Sequence, residues 1–179
     1  MRIIFVRHAE KEEIGEDPHI TKKGVTQAKK LAKRIKKEGI KFDYFYCSDL
    51  NRTKETAYVV SKEIRIKPRI EKSLNEFKSD FIKSNKGRWR KEDKKHYTQL
   101  ISFLKKITSN PNSNKRILIV AHGITNRIIL SFFTGISMKH SIRFVQKETA
   151  VNSVYWVEKY KNWRLTSWND HHHIHKRFE

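Results

Sequence analysis

The stretch Arg2-Ile3-Ile4-Phe5-Val6-Arg7-His8-Ala9 decides how the chain reads. Ile3, Ile4, Phe5 and Val6 form a continuous apolar run rather than an alternating one, which predicts a short strand buried on both faces, as in parallel sheets covered by helices. The run stops at Arg7-His8, so a guanidinium and an imidazole are expected at the carboxyl end of a buried strand. After a polar loop, Thr21 is placed to cap a helix whose Val25, Ala28, Leu31, Ala32 and Ile35 share one face, and Gly39 closes it.

The same strand-then-helix order recurs downstream. Residues 42–47 read as a strand, with Ser48-Asp49 as the cap of a helix carrying Ala57, Val60 and Ile64. A short strand at 68–70 leads to Leu74-Asn75-Glu76. The basic stretch 78–95 reads as an irregular surface insertion, followed by a helical segment holding Leu100, Phe103, Leu104 and Ile107. After a turn-rich segment, residues 117–120 form a strand ending at Ala121-His122-Gly123, with a helix through Ile128, Ile129 and Phe132. Residues 150–157 and 163–168 resemble a hairpin at a sheet edge. The expected fold class is α/β, a mainly parallel central sheet with helices on both faces and an antiparallel edge hairpin near the C-terminus. One domain covers residues 1–179. In such sheets ligands bind beyond the carboxyl ends of the strands, where His8 and His122 both fall.

Composition narrows the classes. The chain has 179 residues, enough for one sheet with covering helices, and its 37% hydrophobic content is gathered in discrete runs. No apolar stretch approaches the roughly 20 residues that span a bilayer, and the N-terminus enters a strand without a leader pattern, so no membrane partner and a cytoplasmic location are expected. The single cysteine, Cys47, excludes an internal disulfide framework and reads as a packing residue. Forty Lys and Arg against 19 Asp and Glu leave a formal charge of +21, a field that favours anionic partners, although lysines on solvated helix faces account for much of it.

The chemistry that suits these positions is phosphoryl transfer. A neutral imidazole is nucleophilic near pH 7, and a backbone carbonyl can hold its opposite N–H, a role that His8 fits. The three equatorial oxygens of a transferring phosphoryl group call for permanently charged, forked donors, and Arg7 and Arg52 are the candidates. The helix opening after His122-Gly123 is expected to aim its free N–H groups at the same place, with His122 completing the clamp.

These residues carry a resemblance to the histidine phosphatase superfamily, also called phosphoglycerate mutase-like. Arg7-His8-Ala9 resembles the Arg-His-Gly signature, and Thr21-x-x-Gly24 with Gln27-Ala28 resembles the family's helix entry. Ser48-Asp49-Leu50-Asn51-Arg52 with Thr56-Ala57 resembles the segment carrying the second phosphate-binding arginine. Val120-Ala121-His122-Gly123 is similar to the second-histidine turn, and Trp168-Asn169-Asp170 to the Asn-Asp after the last strand. The resemblance implies a covalent phosphohistidine on His8, with Arg7, Arg52 and His122 holding the phosphate and no metal or other cofactor. Glu76, in Leu74-Asn75-Glu76, matches the family's acid, whose pKa the neighbouring phosphate would raise.

The departures also inform. Ala9 replaces the signature glycine. Ile14 stands where mutase-like members often have asparagine, and no second glutamate pattern follows Glu76. The short separation between Glu76 and His122 leaves no room for a large covering insertion, so an open site is expected. The resulting expectation is a phosphatase of the small branch that resembles phosphohistidine phosphatases, acting on a phosphorylated small molecule or a phosphoprotein. The rivals are a phosphoglycerate mutase-type transferase and a non-catalytic protein that binds nucleic acid or another polyanion through its basic surface. Trp89 among Lys86, Arg88, Arg90 and Lys91 supplies an aromatic within a basic patch, as stacking on nucleic acid would need. His171, His172, His173 and His175 offer imidazoles to a metal, or form a tail lying partly against the rim of the site. His19, beside Pro18, reads as a solvated loop residue.

Overall fold

The computed structural model describes residues 1–77 and 90–174. Six strands form one sheet: β1 (Arg2–Arg7), β2 (Tyr44–Cys47), β3 (Arg69–Ile70), β4 (Arg116–Ala121), β5 (Val151–Val157) and β6 (Asn162–Asp170). Their spatial order is β3-β2-β4-β1-β5-β6. The first four run parallel, and β5 and β6 are antiparallel, with β6 at the edge as the hairpin reading expected. The helices are α1 (Lys22–Lys37), α2 (Asn51–Ile64), α3 (Lys91–Ile107), α4 (Gly123–Thr134) and the short α5 (Met138–Ser141).

The continuous apolar runs of β1 and β4 are explained by their place in the middle of the sheet. Alternate side chains point to opposite faces. Ile3 and Phe5 join Ile117, Ile119 and Ala121 on one face, packed against Leu100, Phe103 and Leu104 of α3 and Ile128, Ile129 and Phe133 of α4. Ile4 and Val6 join Leu118 and Val120 on the other, against Leu31, Ala32 and Ile35 of α1 and Ala57 and Val60 of α2. The result is the helix–sheet–helix sandwich. Each of these large side chains, fully buried, contributes about 1.5–3 kcal/mol of apolar transfer free energy. Cys47 packs in the second layer, where burial pushes its thiol up to about 11, an unreactive value.

Register fixes the site. Arg7 of β1 pairs with Ala121 of β4, and Cys47 of β2 with Val120. The first residues past these three strands, His8, Ser48 and His122, therefore emerge side by side at one end of the sheet.

Several boundaries differ from the sequence reading. Residues 91–95, read as irregular, open α3, whose first turn carries Glu92 and Asp93, favourable at the positive end of the helix. The other part of that stretch, 78–89 with Trp89, and His175 lie outside the described residues. Thr21 is the N-cap of α1, its Oγ1 accepting from Gly24 N at 2.9 Å, and Gly39 follows the helix with φ +65°. Ser48-Asp49 is not the cap of α2. That position is Leu50, and the free N–H of Asn51 instead donates to both carboxylate oxygens of Asp17, at 2.9 and 3.0 Å. No helix among the described residues is long and apolar enough to cross a membrane.

Candidate active site

His8 is held by three elements. Its backbone N–H donates to Ala121 O at 3.0 Å, and its carbonyl lies 3.3 Å from Thr149 N. Its Nδ1 lies 2.7 Å from Ala9 O, a contact that only an Nδ1–H can make, so the Nε2 lone pair is left for chemistry. Ala9 N in turn donates to Thr56 Oγ1 on α2 at 3.0 Å. The next residue, Glu10, is cradled by the helix-entry motif. Glu10 N donates to Gln27 Oε1 at 2.8 Å, Thr21 Oγ1 to Glu10 Oε1 at 2.9 Å, and Thr21 N to Glu10 O at 3.0 Å. Gly24 must be small there, since a β-carbon on it would sit 2.2 Å from Glu10 O.

His122, fully buried, packs edge-on to His8 with ring centroids 5.2 Å apart. Its Nε2 is 2.7 Å from Ser48 Oγ, which is itself 2.5 Å from Thr53 Oγ1. Its Nδ1 has no hydrogen-bond partner and lies 3.9 Å from Glu76 Oε2. Thr53 Oγ1 donates its one hydrogen to Leu50 O at 2.6 Å, so Ser48 donates to Thr53 and the His122 Nε2–H to Ser48, which leaves the Nδ1 lone pair facing Glu76. Ser48 is thus a site residue that sequence reading mistook for a helix cap.

Glu76 arrives from the turn after β3. Phe77 beside it is buried and stacks on His96, centroids 3.9 Å apart, and His96 Nε2 contacts Ser73 O at 3.1 Å, which pins the turn. Glu76 Oε1 accepts from Ile124 N at 3.2 Å and Thr125 N at 3.4 Å. This corrects the expectation that α4 offers free N–H groups to phosphate: two of them hold the carboxyl group.

Two guanidiniums complete the cluster. Arg7 donates from Nη1 to Gln146 O at 2.6 Å and pairs through Nη2 with Glu148 Oε1 at 3.0 Å, while its buried Nε is unpartnered. Arg52, 7% exposed, also has an unpartnered buried Nε, and its Nη1 is 3.5 Å from Asp17 Oδ1. Unpartnered buried donors of this kind are costly unless a ligand completes them.

The electrostatics agree with an anion site. Burial first, then the positive charges of Arg7 and Arg52, pushes His8 down to about 3, despite the opposing Ala9 carbonyl. His122 is lowered well below the usual histidine range by burial, by His8 and by the same arginines. Burial raises the Glu76 pKa, outweighing the N–H groups of α4 and the arginines. The donor atoms of His8, Glu76 and His122 lie within 4.8 Å of one another, a spacing that also suits a cation. Two guanidiniums beside them favour an anion instead.

All five residues singled out in the sequence, Arg7, His8, Arg52, Glu76 and His122, meet here. Asp17, Ser48, Gln146, Glu148 and Arg127 join them with no local sequence signal. Ile14 is 87% exposed. His19 pairs with Glu55 at the surface. His171, His172 and His173 do not converge as metal ligands. Their Nδ1 atoms go separately to Asn169 O at 2.9 Å, Asp170 Oδ1 at 2.7 Å and Arg34 Nη1 at 3.3 Å, and His173 Nε2 contacts Thr149 Oγ1 at 3.1 Å. The tail thus lies against the loop that carries Thr149, beside His8.

Comparison with known proteins fits this geometry. The fold matches phosphoserine phosphatase of Entamoeba histolytica, solved with 3-phosphoglyceric acid, at a TM-score of 0.75 and 19% identity, covering 97% of this chain and 98% of that one. It matches the α-ribazole phosphatase of Shigella flexneri at 0.75 and 18%, covering 96% and 97%. A segment of 65 residues is 40% identical to the mitochondrial serine/threonine-protein phosphatase Pgam5 of Drosophila mojavensis, spanning 35% of this chain and 22% of that protein. The family model of the histidine phosphatase superfamily (branch 1) matches residues 3–99 and 87–171, and the chain belongs to that superfamily.

Proposed function

We propose that this protein is a cofactor-independent phosphatase that hydrolyses a phosphomonoester, free or on a protein, through a phosphohistidine on His8. The carrying observation is the His8 imidazole, its Nδ1–H committed to Ala9 O and its Nε2 free among Arg7, Arg52, His122 and Glu76. In the first step Nε2 bonds to phosphorus as the ester P–O bond breaks. Arg7 and Arg52 bind the equatorial oxygens with His122 beside them, and the Glu76 carboxyl group, whose pKa burial raises, gives its proton to the departing oxygen. In the second, the Glu76 carboxylate takes a proton from water as that water attacks phosphorus, which releases phosphate and restores both groups.

Hydrolysis is the reading preferred over return of the phosphoryl group because Ile14, which stands where the resemblance would place a mutase's asparagine, is an apolar side chain turned to solvent. Among the site's rim residues, Arg7, Glu76 and Glu148 keep 28%, 27% and 35% of their side-chain surface exposed, which suits entry of a bulky ester. An alkaline quench after mixing with a labelled phosphate donor should trap label on His8, and His8→Ala should remove both label and turnover. Full hydrolysis by His8→Ala would overturn the reading. Products formed from phosphoglycerate separate the reactions: inorganic phosphate for the phosphatase, an isomeric ester for the mutase. The cytoplasmic location belongs to the same proposal and is tested by fractionation.

A further inference from the structure

Arg127, on the first turns of α4, is not part of the phosphate clamp. Its side chain runs back toward the helix start, as helical side chains do. Its Nε donates to Phe144 O at 2.9 Å, two residues from the Gln146 carbonyl that receives Arg7 Nη1 at 2.6 Å. The two guanidiniums therefore stand side by side along one segment. A β-carbon on Gly123 would lie 3.7 Å from Arg7 Nε and 3.9 Å from Arg127 Nη1. Among the described residues, neither Nη1 nor Nη2 of Arg127 has a hydrogen-bond or ion-pair partner. The group is half-buried, and it feels the field of both Arg7 and Glu76. Arg7 has Glu148 as counter-ion, whereas Arg127 has none in contact.

A like-charged pair held this way, with one fork facing outward, is unfavourable until an anion sits beside it. The phosphoryl group undergoing transfer is already provided with Arg7, Arg52 and His122. We infer that Arg127 forms a second anion subsite, which binds a carboxylate or second phosphate on the part of the substrate that leaves with the alcohol. This rests on the phosphatase reading and narrows it to substrates with two anionic groups.

Three ligands of one chain length test it: propyl phosphate, phosphooxypropanoate with a terminal carboxylate, and propanediol bisphosphate. Their affinities are measured by calorimetry in the His8→Ala background, where none is turned over. Either or both doubly anionic ligands should bind more tightly than propyl phosphate, and whichever does identifies the terminal group. Arg127→Gln should cut that preference about tenfold or more, the scale of a charge-assisted hydrogen bond. Arg127→Lys, which keeps the charge without the fork, should retain part of it. Equal affinities for all three ligands in the parent protein would overturn the subsite without any Arg127 variant. So would an equal loss for all three in Arg127→Gln. Failure of the unaltered protein to hydrolyse any of them counts against the phosphatase reading, while the binding ratio still decides the subsite.

Discussion

Two side chains define the chemistry at the residue scale, and both act through groups that burial controls. Glu76→Gln keeps the shape and the hydrogen bonds from α4 but cannot donate a proton. Turnover of an alkyl phosphate should fall about 10²–10⁴-fold, the usual worth of a general acid, while an aryl phosphate with a good leaving group should lose much less. Equal losses on both esters would remove Glu76 from the acid role. Ser48 acts on His122 rather than on substrate. In Ser48→Ala, His122 Nε2 loses its 2.7 Å partner, so the Nε2–H form is no longer enforced. A drop of about tenfold in kcat/KM is expected, together with a change in the His122 tautomer seen by nitrogen NMR. Lower activity with an unchanged tautomer would mark Ser48 as a packing residue.

The elements meet where the helix-entry motif of α1 cups the loop after His8. Gly24 is constrained by approach rather than by dihedral angle: a methyl group would overlap the Glu10 carbonyl, which is backbone and cannot step aside. Gly24→Ala should cost about 1–3 kcal/mol, the range for overpacking, and should lower kcat/KM as well, because Glu10 leads directly back to Ala9 and His8. Thermal unfolding and steady-state kinetics on one preparation check both. A stable, fully active Gly24→Ala would show that α1 does not hold the loop. The start of α2 follows a similar logic, since Asp17 crosses from that loop to cap Asn51 and contact Arg52, joining loop position to the guanidinium of Arg52.

For the whole molecule, the buried histidines set an acid limit on stability. His8 and His173 are each pushed down to about 3, the latter mainly by burial and then by Arg34, and His122 is lowered as well. Between those values and the unfolded value of about 6.5, the unfolded chain binds protons that the folded one does not. This stability is present above about pH 6.5 and is lost as pH falls below it, by at most about 1.4 kcal/mol per pH unit per group. Glu76 has the opposite sign, since a raised carboxyl pKa removes stability as pH rises above about 4.5. Denaturant midpoints should therefore fall between pH 6.5 and 4.5, and His173→Asn should flatten part of that slope. A flat profile would mean that the histidines titrate normally.

Local pattern made the core of this protein legible. An unbroken apolar run at residues 3–6 and another at 117–120 can be buried only in the middle of a covered sheet, and the residue ending each run must then lie at a strand end. Arg7, His8 and His122 were readable for that reason, Arg52 through its place at a helix start and the motif Ser48–Arg52, and Glu76 through its short motif. What determines the remainder is contact between segments far apart in the chain, which leaves no periodic trace. Ser48 looks like any helix cap until strand register sets it against His122. Asp17 is one acid among several in its loop. Arg127 lies on a helix whose pattern reports only its apolar face, and its neighbour Arg7 is brought to it by the sheet. The sequence by itself determined the fold class and the place of His8 and His122 at adjacent strand ends, because those follow from burial and strand ends. Only the tertiary structure decided which polar groups hold that pair, because hydrogen bonds between distant segments depend on register and packing.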